Sequence, residues 1–348
     1  MPAKSISTKG RSKHNNSWKD VQSKARIKKR SKIAIGILAF IIGLLIISWA
    51  VKFTQNLFQP WKESGIQKKY IWNGEFNINL LIRTSAVTLL SYNPKQEEII
   101  LIDIPEETFL EVPYGFGMWQ LRAVYGLGQA QKDLGGNRLL VDTVTSFLAV
   151  PVDGFLDFSA FQPQKSPAEI VEMLRKDPIF GLNFLSNLKT DMTLWELFKL
   201  KLSLSAVRFD KVKQLDLSNL NVLSQEKLPD GTPVLTADTI RLDSVLPDLA
   251  DPVIASEHKT IAVFNATDHP QLAGKWARLI SNLGGNVIIT ANAKARLKST
   301  QVTGEQSLTL KRMQQIFGSG GKINSLDEDL AFSRAQINLF VGEDLVNR

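Results

Sequence analysis

The residues able to do chemistry in this chain are few, and their types narrow the choices at once. Cysteine is absent and only three histidines occur, His14, His258 and His269. That removes disulfides, cysteine-type zinc sites, haem attachment and thiol catalysis, and leaves little for a Ser-His-Asp triad or a multi-histidine metal site. His258 and His269 read as surface or turn polarity. The remaining candidates are charged and aromatic. Arg83 stands alone and suits a surface or ion-paired position. Glu106 and Glu107 follow Pro105 in a turn, where adjacent acids are usually solvated. Arg122 lies between Trp119 and Tyr125 and could stack on either ring. Gly126-Leu127-Gly128 and Gly318-Ser319-Gly320-Gly321 lack the third glycine and the Lys-Ser/Thr of nucleotide loops, so both read as turns.

The elements that must position these residues follow from periodicity. Phe76, Ile78, Leu80 and Ile82 alternate with Asn77, Asn79 and Leu81, the period of a strand with one buried face. Val87 to Tyr92 gives a second strand, Asn93-Pro94 a turn, and Ile99 to Ile104 a third strand suited to the middle of a sheet covered on both sides. Leu140, Val144 and Leu148 recur at helical spacing before Pro151, and Gly154 to Phe158 reads as another strand, with Phe155, Phe158 and Phe161 as core or as the lining of a lipid groove. Capping boxes at Ser166-Pro167-Ala168-Glu169 and Thr193-Leu194-Trp195-Glu196 open two helices. The expectation for 71–215 is a mixed α/β layer domain. Residues 216–258 are punctuated by prolines and read as irregular linker with one or two edge strands. From Lys259 the pattern is strand, helix closed by Gly284-Gly285, strand, then a helix around Leu308 to Phe317 and a last strand at Ile337 to Val341. A strand-helix-strand crossover of that length is parallel, and 259–348 is expected to be a small α/β sandwich.

One stretch places the rest. Ile33 to Val51 is nineteen residues without a charge, about 28 Å of helix, and is expected to be a transmembrane helix. Residues 1–32 carry eleven Lys or Arg against one acid, Asp20, or about +10, so this basic tail is expected in the cytoplasm. No small-x-small cleavage site follows, which favours a retained signal-anchor over a cleaved signal peptide, with 52–70 as a stalk. The formal +8 of the whole chain less about +10 leaves about −2 after the tail, so the outer units are not basic nucleic-acid binders. The tail has no helix-turn-helix pattern, and a membrane-tethered transcription regulator is the weakest reading.

Two blocks resemble known families. RTSAVTLLSYNP (Arg83 to Pro94), LIDIPEET (Leu101 to Thr108), WQLRAVYGLG (Trp119 to Gly128), VDTVTSFLAVPVDGFLDFSAF (Val141 to Phe161) and KTDMTLWEL (Lys189 to Leu197) resemble the LytR-CpsA-Psr (LCP) proteins in order and spacing. The resemblance implies a membrane-anchored enzyme that moves a glycopolymer from a polyprenyl pyrophosphate to peptidoglycan. TIAVFNATDHPQLAGKWARLISNLGGNVI and INLFVGEDL resemble the LytR C-terminal domain.

LCP enzymes hold Mg²⁺ and pyrophosphate with an Asp-Ser-Arg-like segment, an Arg-Ser-Asp, an Ile-Pro-Arg-Asp and an Arg-rich segment. A multiply charged leaving group needs guanidinium forks and the metal needs carboxylates. Here Ile82 runs directly into Arg83, Ser85 stands where the Asp belongs, and Glu106 and Glu107 replace Arg and Asp. Arg122 takes a position usually given to Asn, and no Arg-x-Arg run follows Phe161. The carried-over ligand groove is therefore Arg83, Ser85, Glu106, Glu107, Trp119, Arg122 and Tyr125, with Arg83, Glu107 and Arg122 as its catalytic set if the chain is active. The expectation is an extracytoplasmic cell-envelope protein, LCP-like and non-catalytic, needing no cofactor, that binds or scaffolds near the bilayer. Polyprenyl-linked glycopolymer or peptidoglycan is the implied partner, without nucleic acid. The alternative is a divergent phosphotransferase using Mg²⁺.

Overall fold

The computed structural model describes residues 38, 40–52, 70–161, 163–176, 187–318 and 333–348. The chain divides into two compact units, 1–57 and 58–348. In the first, residues 40–52 are helical and their apolar side chains are exposed. The expected span at 33–51 is thus covered only in part, since 33–37 and 39 lie outside the described residues. So do the tail, most of the stalk, and Ser319 to Gly321. Among the described residues no helix is long and apolar enough to cross a membrane.

The second unit begins with a six-stranded mixed sheet in the order β7-β6-β1-β2-β3-β8. Its strands are β1 (Ile78–Arg83), β2 (Val87–Asn93), β3 (Glu98–Ile104), β6 (Gly154–Asp157), β7 (Lys189–Thr190) and β8 (Val212–Asp216). β1, β2 and β3 form an antiparallel meander, while β6 joins β1 and β8 joins β3 in parallel. A separate hairpin, β4 (Phe109–Val112) with β5 (Gly117–Gln120), leads into α1 (Leu121–Ala130) and α2 (Gly136–Leu148). Leu81, Leu89, Ile100 and Ile102 face α1 and α2 through Val124, Leu140 and Val144. Leu80, Ile82, Leu90 and Leu101 face α3 (Pro167–Lys176) and α4 (Leu194–Ala206) through Ile170, Leu174, Leu197 and Leu200. The sheet is covered on both sides, which is why β1 is buried along its length rather than on one face. The asparagines of its alternating pattern are buried too: the Asn79 amide donates to Asp153 Oδ2 and its side chain to Pro151 O.

Both expected capping boxes are present. The Ser166 hydroxyl accepts from Glu169 N at 3.3 Å while Glu169 Oε2 accepts from Ser166 N at 2.7 Å. Thr193 and Glu196 repeat the exchange at 3.1 and 2.8 Å. Two local expectations are corrected. Gly126-Leu127-Gly128 is not a turn but part of α1, where a Cβ on Gly128 would sit 2.6 Å from Gly135 O and 2.9 Å from Leu139 Cβ. The glycine is a close-approach residue between α1 and α2.

Residues 216–258 are not an irregular linker. They form a hairpin, β9 (Leu223–Lys227) with β10 (Pro233–Ala237), followed by α5 (Thr239–Ser244) and α6 (Pro252–Glu257). Leu217, Val222, Leu242, Leu246 and Leu249 enter the core under α1 and α2. Short apolar pieces between prolines here supply core rather than spacer.

The closing segment is a four-stranded sheet, β12-β11-β14-β13, made of β11 (Thr260–Asn265), β12 (Asn286–Asn292), β13 (Gln301–Gly304) and β14 (Ile337–Val341). The β11–β12 crossover is parallel, as expected, and β13, which has no strong sequence pattern, pairs antiparallel with β14. Helices α7 (Leu272–Asn282) and α8 (Leu308–Phe317) cover one face. Phe264 and Phe340 stack on the other with centroids 5.0 Å apart.

Candidate functional site

Arg83 ends β1, and its parallel partner in the register is Asp157 at the end of β6. The two side chains meet. Arg83 Nη1 donates to Asp157 Oδ1 and Oδ2 at 3.0 and 2.9 Å and to Ser159 Oγ at 2.8 Å. Asp157 also accepts from Asn137 Nδ2 and from Ser159 N. Its carboxylate is 1% exposed and the Arg83 side chain 21%. The flat face of the guanidinium lies 3.4 Å from the Tyr125 ring centroid. Gly136 makes this possible, because a Cβ there would stand 2.7 Å from Tyr125 Cδ2. Arg83 is thus ion-paired and stacked at once, and it is Arg83, not Arg122, that lies on the aromatic ring.

The other expected site residues are arranged by the backbone. Pro105 to Thr108 is a turn, as expected, closed by Thr108 N on Pro105 O at 3.1 Å. Glu106 O accepts from Arg122 N at 3.1 Å and Glu107 O from Leu235 N at 3.1 Å. Glu107 is exposed, Glu106 half-buried, and Arg122 points to solvent at the start of α1. Ser85 is exposed in the β1–β2 turn, where Thr84 N donates to Ala86 O. Trp119 lies on β5, donates its indole N–H to Phe116 O at 2.9 Å, and is 42% exposed. Among the described residues neither Arg83 nor Arg122 lies over its ring.

The fold therefore brings Arg83 to Tyr125, and Arg122 to the Glu106 main chain. It does not gather the seven residues into one charged pocket. Asp157, Ser159 and Asn137 are the members that sequence reasoning missed. The only signal was the GFLDF strand. Its pairing partner lies some seventy residues earlier, which no local pattern encodes.

The Mg²⁺ that LCP chemistry uses would need carboxylates beside the clamp. Asp157 is committed to Arg83, Ser159 and Asn137, and among the described residues no three His, Asp or Glu side chains come together. The residues present do not fit the metal. A large cleft of about 1270 Å³ lies elsewhere, lined by Tyr114, Arg138, Asp142, Lys275, Trp276 and Arg348 among others. None of the seven expected residues lines it. There the Tyr114 hydroxyl donates to Asp142 Oδ2 at 2.6 Å, and burial, with the Asp142 carboxylate beside it, pushes Tyr114 up to about 12. Burial pulls Lys275 below the ordinary lysine range.

Residues 259–345 match the LytR_C family. Its description is LytR cell envelope-related transcriptional attenuator. The match covers the sheet of β11 to β14 with α7 and α8, so the resemblance read from the βαβ opening and the closing INLFVGEDL is upheld for this segment. No curated protein matches the chain in sequence.

Among solved structures, the chain is similar to TagT of Bacillus subtilis, at 18% identity over 55% of this chain and 95% of that one, with a TM-score of 0.38. TagV of Bacillus subtilis aligns at 16% identity over 50% and 95%, TM-score 0.36. A LytR-CPS2A-psr family protein, YwtF (TagT), with bound octaprenyl pyrophosphate lipid, aligns at 18% over 55% and 95%, TM-score 0.37.

Polar contacts join the segment that matches LytR_C to the elements before it. Arg312 Nη2 on α8 donates to Asp153 Oδ1 at 2.9 Å and to Asn77 O at 3.3 Å. Arg278 on α7 holds Asp243 through two nitrogens at 2.8 and 2.7 Å. Ahead of that segment, the Asn77 amide donates to Asp251 Oδ2 at 2.8 Å, which ties the start of the first sheet to the N-terminus of α6.

Proposed function

We propose that this chain is a cell-envelope protein held at the membrane by residues 33–51, with its basic tail in the cytoplasm and its folded unit outside. Its LCP-like part binds or scaffolds and does not transfer. The envelope placement is supported by the LytR_C match and by the apolar, positively flanked stretch. The observation that carries the non-catalytic reading is the commitment of Arg83. A phosphate clamp must offer its fork to the ligand, whereas Nη1 of this guanidinium is taken by Asp157 and Ser159 and its face by Tyr125. A ligand that displaced Asp157 would leave that carboxylate buried without its cation, with only Asn137 Nδ2 and Ser159 N as donors, at a cost of a few kcal/mol. Glu106 and Glu107, where the resemblance implies Arg and Asp, offer an anion no guanidinium. The partner that suits this place is a polyprenyl-linked glycopolymer or peptidoglycan at the membrane surface.

The test is incubation of the full chain with a polyprenyl-pyrophosphate analogue and Mg²⁺. The expected result is no release of lipid phosphate above the uncatalysed rate. Release that is lost in Arg122→Ala or Glu107→Gln, with folding intact, would establish the phosphotransferase instead. Arg83→Ala is expected to weaken folding, since it strands Asp157, and so serves as a stability control.

A further inference from the structure

The helix α4 is apolar on two sides. Leu197, Leu200 and Leu204 are buried against the sheet. Trp195, Phe198 and Leu202, at i, i+3 and i+7, share another face and are 41%, 52% and 55% exposed. Phe209, just past the helix, is 80% exposed. The Trp195 and Phe198 rings lie 6.3 Å apart, so the face is continuous at its start. Large apolar side chains gathered on one helix face mark an interaction surface rather than scattered surface residues.

Three observations name the occupant. The chain enters the folded unit at this helix: Trp72 N donates to Glu196 Oε1 at 2.8 Å, and Lys199 Nζ donates to Asn73 O. Between the apolar stretch and Tyr70 lie residues 52–69, whose greatest possible span is about 60 Å. The charge also fits. Outside the core, residues 194–211 carry Lys199, Arg208 and Lys211 against Asp210, a net of +2, while Lys201 and Glu196 are buried. The chain beyond the tail as a whole is about −2. Exposed aromatic and leucine side chains with a basic rim are the composition of a helix lying in the headgroup region.

We infer that the outer face of α4, Trp195, Phe198 and Leu202 together with Phe209, rests on an anionic lipid surface. It is a second membrane contact that fixes how the LCP-like unit stands on the bilayer. The inference rests on the membrane-anchored reading above, and the test separates the two. Because the chain has no cysteine, a single substitution takes a single label. Full-length chains carrying Phe198→Cys, Leu202→Cys, Ser224→Cys or Leu45→Cys are labelled with an environment-sensitive dye. Each is reconstituted in vesicles of phosphatidylcholine and phosphatidylglycerol with spin-labelled lipid. Ser224 is an exposed residue of β9 and Leu45 lies in the helix of 40–52.

The expected result is that labels at 198 and 202 are quenched about threefold or more over that at 224. Adding Trp195→Glu, an exposed position, should lower the quenching at 202 while the circular dichroism stays unchanged. Quenching at 45 but not at 198 or 202 overturns the inference and leaves the anchor standing. Quenching at 198 and 202 without 45 upholds the surface contact and removes the anchor, and quenching at none of the three removes both. A protein partner or a second copy on this face would give the unquenched result at 198 and 202.

Discussion

Replacing Arg312 by methionine tests whether the LytR_C segment is bound to the first sheet as one structure. The side chain is 1% exposed and its Nη2 meets both Asp153 oxygens, at 2.9 and 3.0 Å, and Asn77 O. Its guanidinium carbon lies 5.6 Å from the Phe76 ring centroid and 5.9 Å from that of Tyr70. Methionine keeps most of the stem and removes the charge, leaving Asp153, 11% exposed, with the Asn79 amide as a remaining donor. Removing one partner of a buried pair costs about 3–5 kcal/mol. Two terms reduce that figure here. The Asn79 amide keeps part of the carboxylate's bonding, and Arg312 Nε and Nη1 have no partner among the described residues, so their burial is itself unfavourable. We expect about 2–3 kcal/mol net for Arg312→Met, or a fall in Tm of roughly 3–5 °C for a unit of this size.

Asp153→Asn should cost more, because it strands a cation that is already short of acceptors. The double variant should recover much of either loss, since exchanging a buried pair for neutral groups is often near neutral. Urea unfolding of the full chain in mild detergent, followed by tryptophan fluorescence, measures all four corners of the cycle. An Arg312→Met chain within about 0.5 kcal/mol of the parent, with additive double loss, would refute the reasoning.

Tyr70 and Tyr114 are both pushed up to about 12, Tyr70 by burial and Tyr114 by burial and the Asp142 carboxylate. The folded values lie above the ordinary 10.0, so the stability each contributes is complete below pH 10 and is lost as the pH climbs through about 12. An alkaline titration followed at 295 nm should show late-ionising tyrosines, one of which disappears in Tyr114→Phe; an unchanged late amplitude would contradict the assignment. Gly128→Ala places a Cβ 2.6 Å from Gly135 O and should cost about 1–3 kcal/mol in denaturant unfolding, by prising α1 from α2. Gly136→Ala should displace Tyr125 from Arg83, read as a changed near-ultraviolet tyrosine signal; an unaltered signal would show that the ring does not depend on that glycine.

What could be read without the structure was local. The capping boxes at Ser166 and Thr193 are four-residue devices whose partners are neighbours in the chain, and both form as the spacing implies. The parallel crossover of β11 and β12 followed from element lengths. The failures share a cause, which is that the deciding partner is remote. Gly128 reads as a turn until Gly135 and Leu139 are seen against it. Asn77 reads as the solvent face of β1 until Asp251, far along the chain, accepts its amide hydrogen. Leu217, Leu242 and Leu249 look like fragments between prolines until α1 and α2 supply the surface they bury. The candidate site was legible in the same partial way: Arg83 and Tyr125 were singled out, but Asp157, the residue that decides what Arg83 can do, was not.

The Ile-Pro turn is held by its main chain. Four consecutive carbonyls, from Pro105 to Thr108, accept hydrogen bonds from the amides of Thr108, Arg122, Leu235 and Leu121 respectively. The turn thereby ties α1 and β10 to the end of β3 entirely through the main chain. The side chains of Glu106 and Glu107 take no part, so the backbone geometry is indifferent to whether those positions carry Arg and Asp or two glutamates. Arg83 is the opposite case. Its side chain is bound into the β1–β6 end by Asp157 and Ser159 and into α1 by Tyr125, so the fold itself depends on the guanidinium. Arg83 thus answers a structural demand that the side chains of Glu106 and Glu107 do not share. The presence of Arg83 therefore does not by itself argue for transfer chemistry.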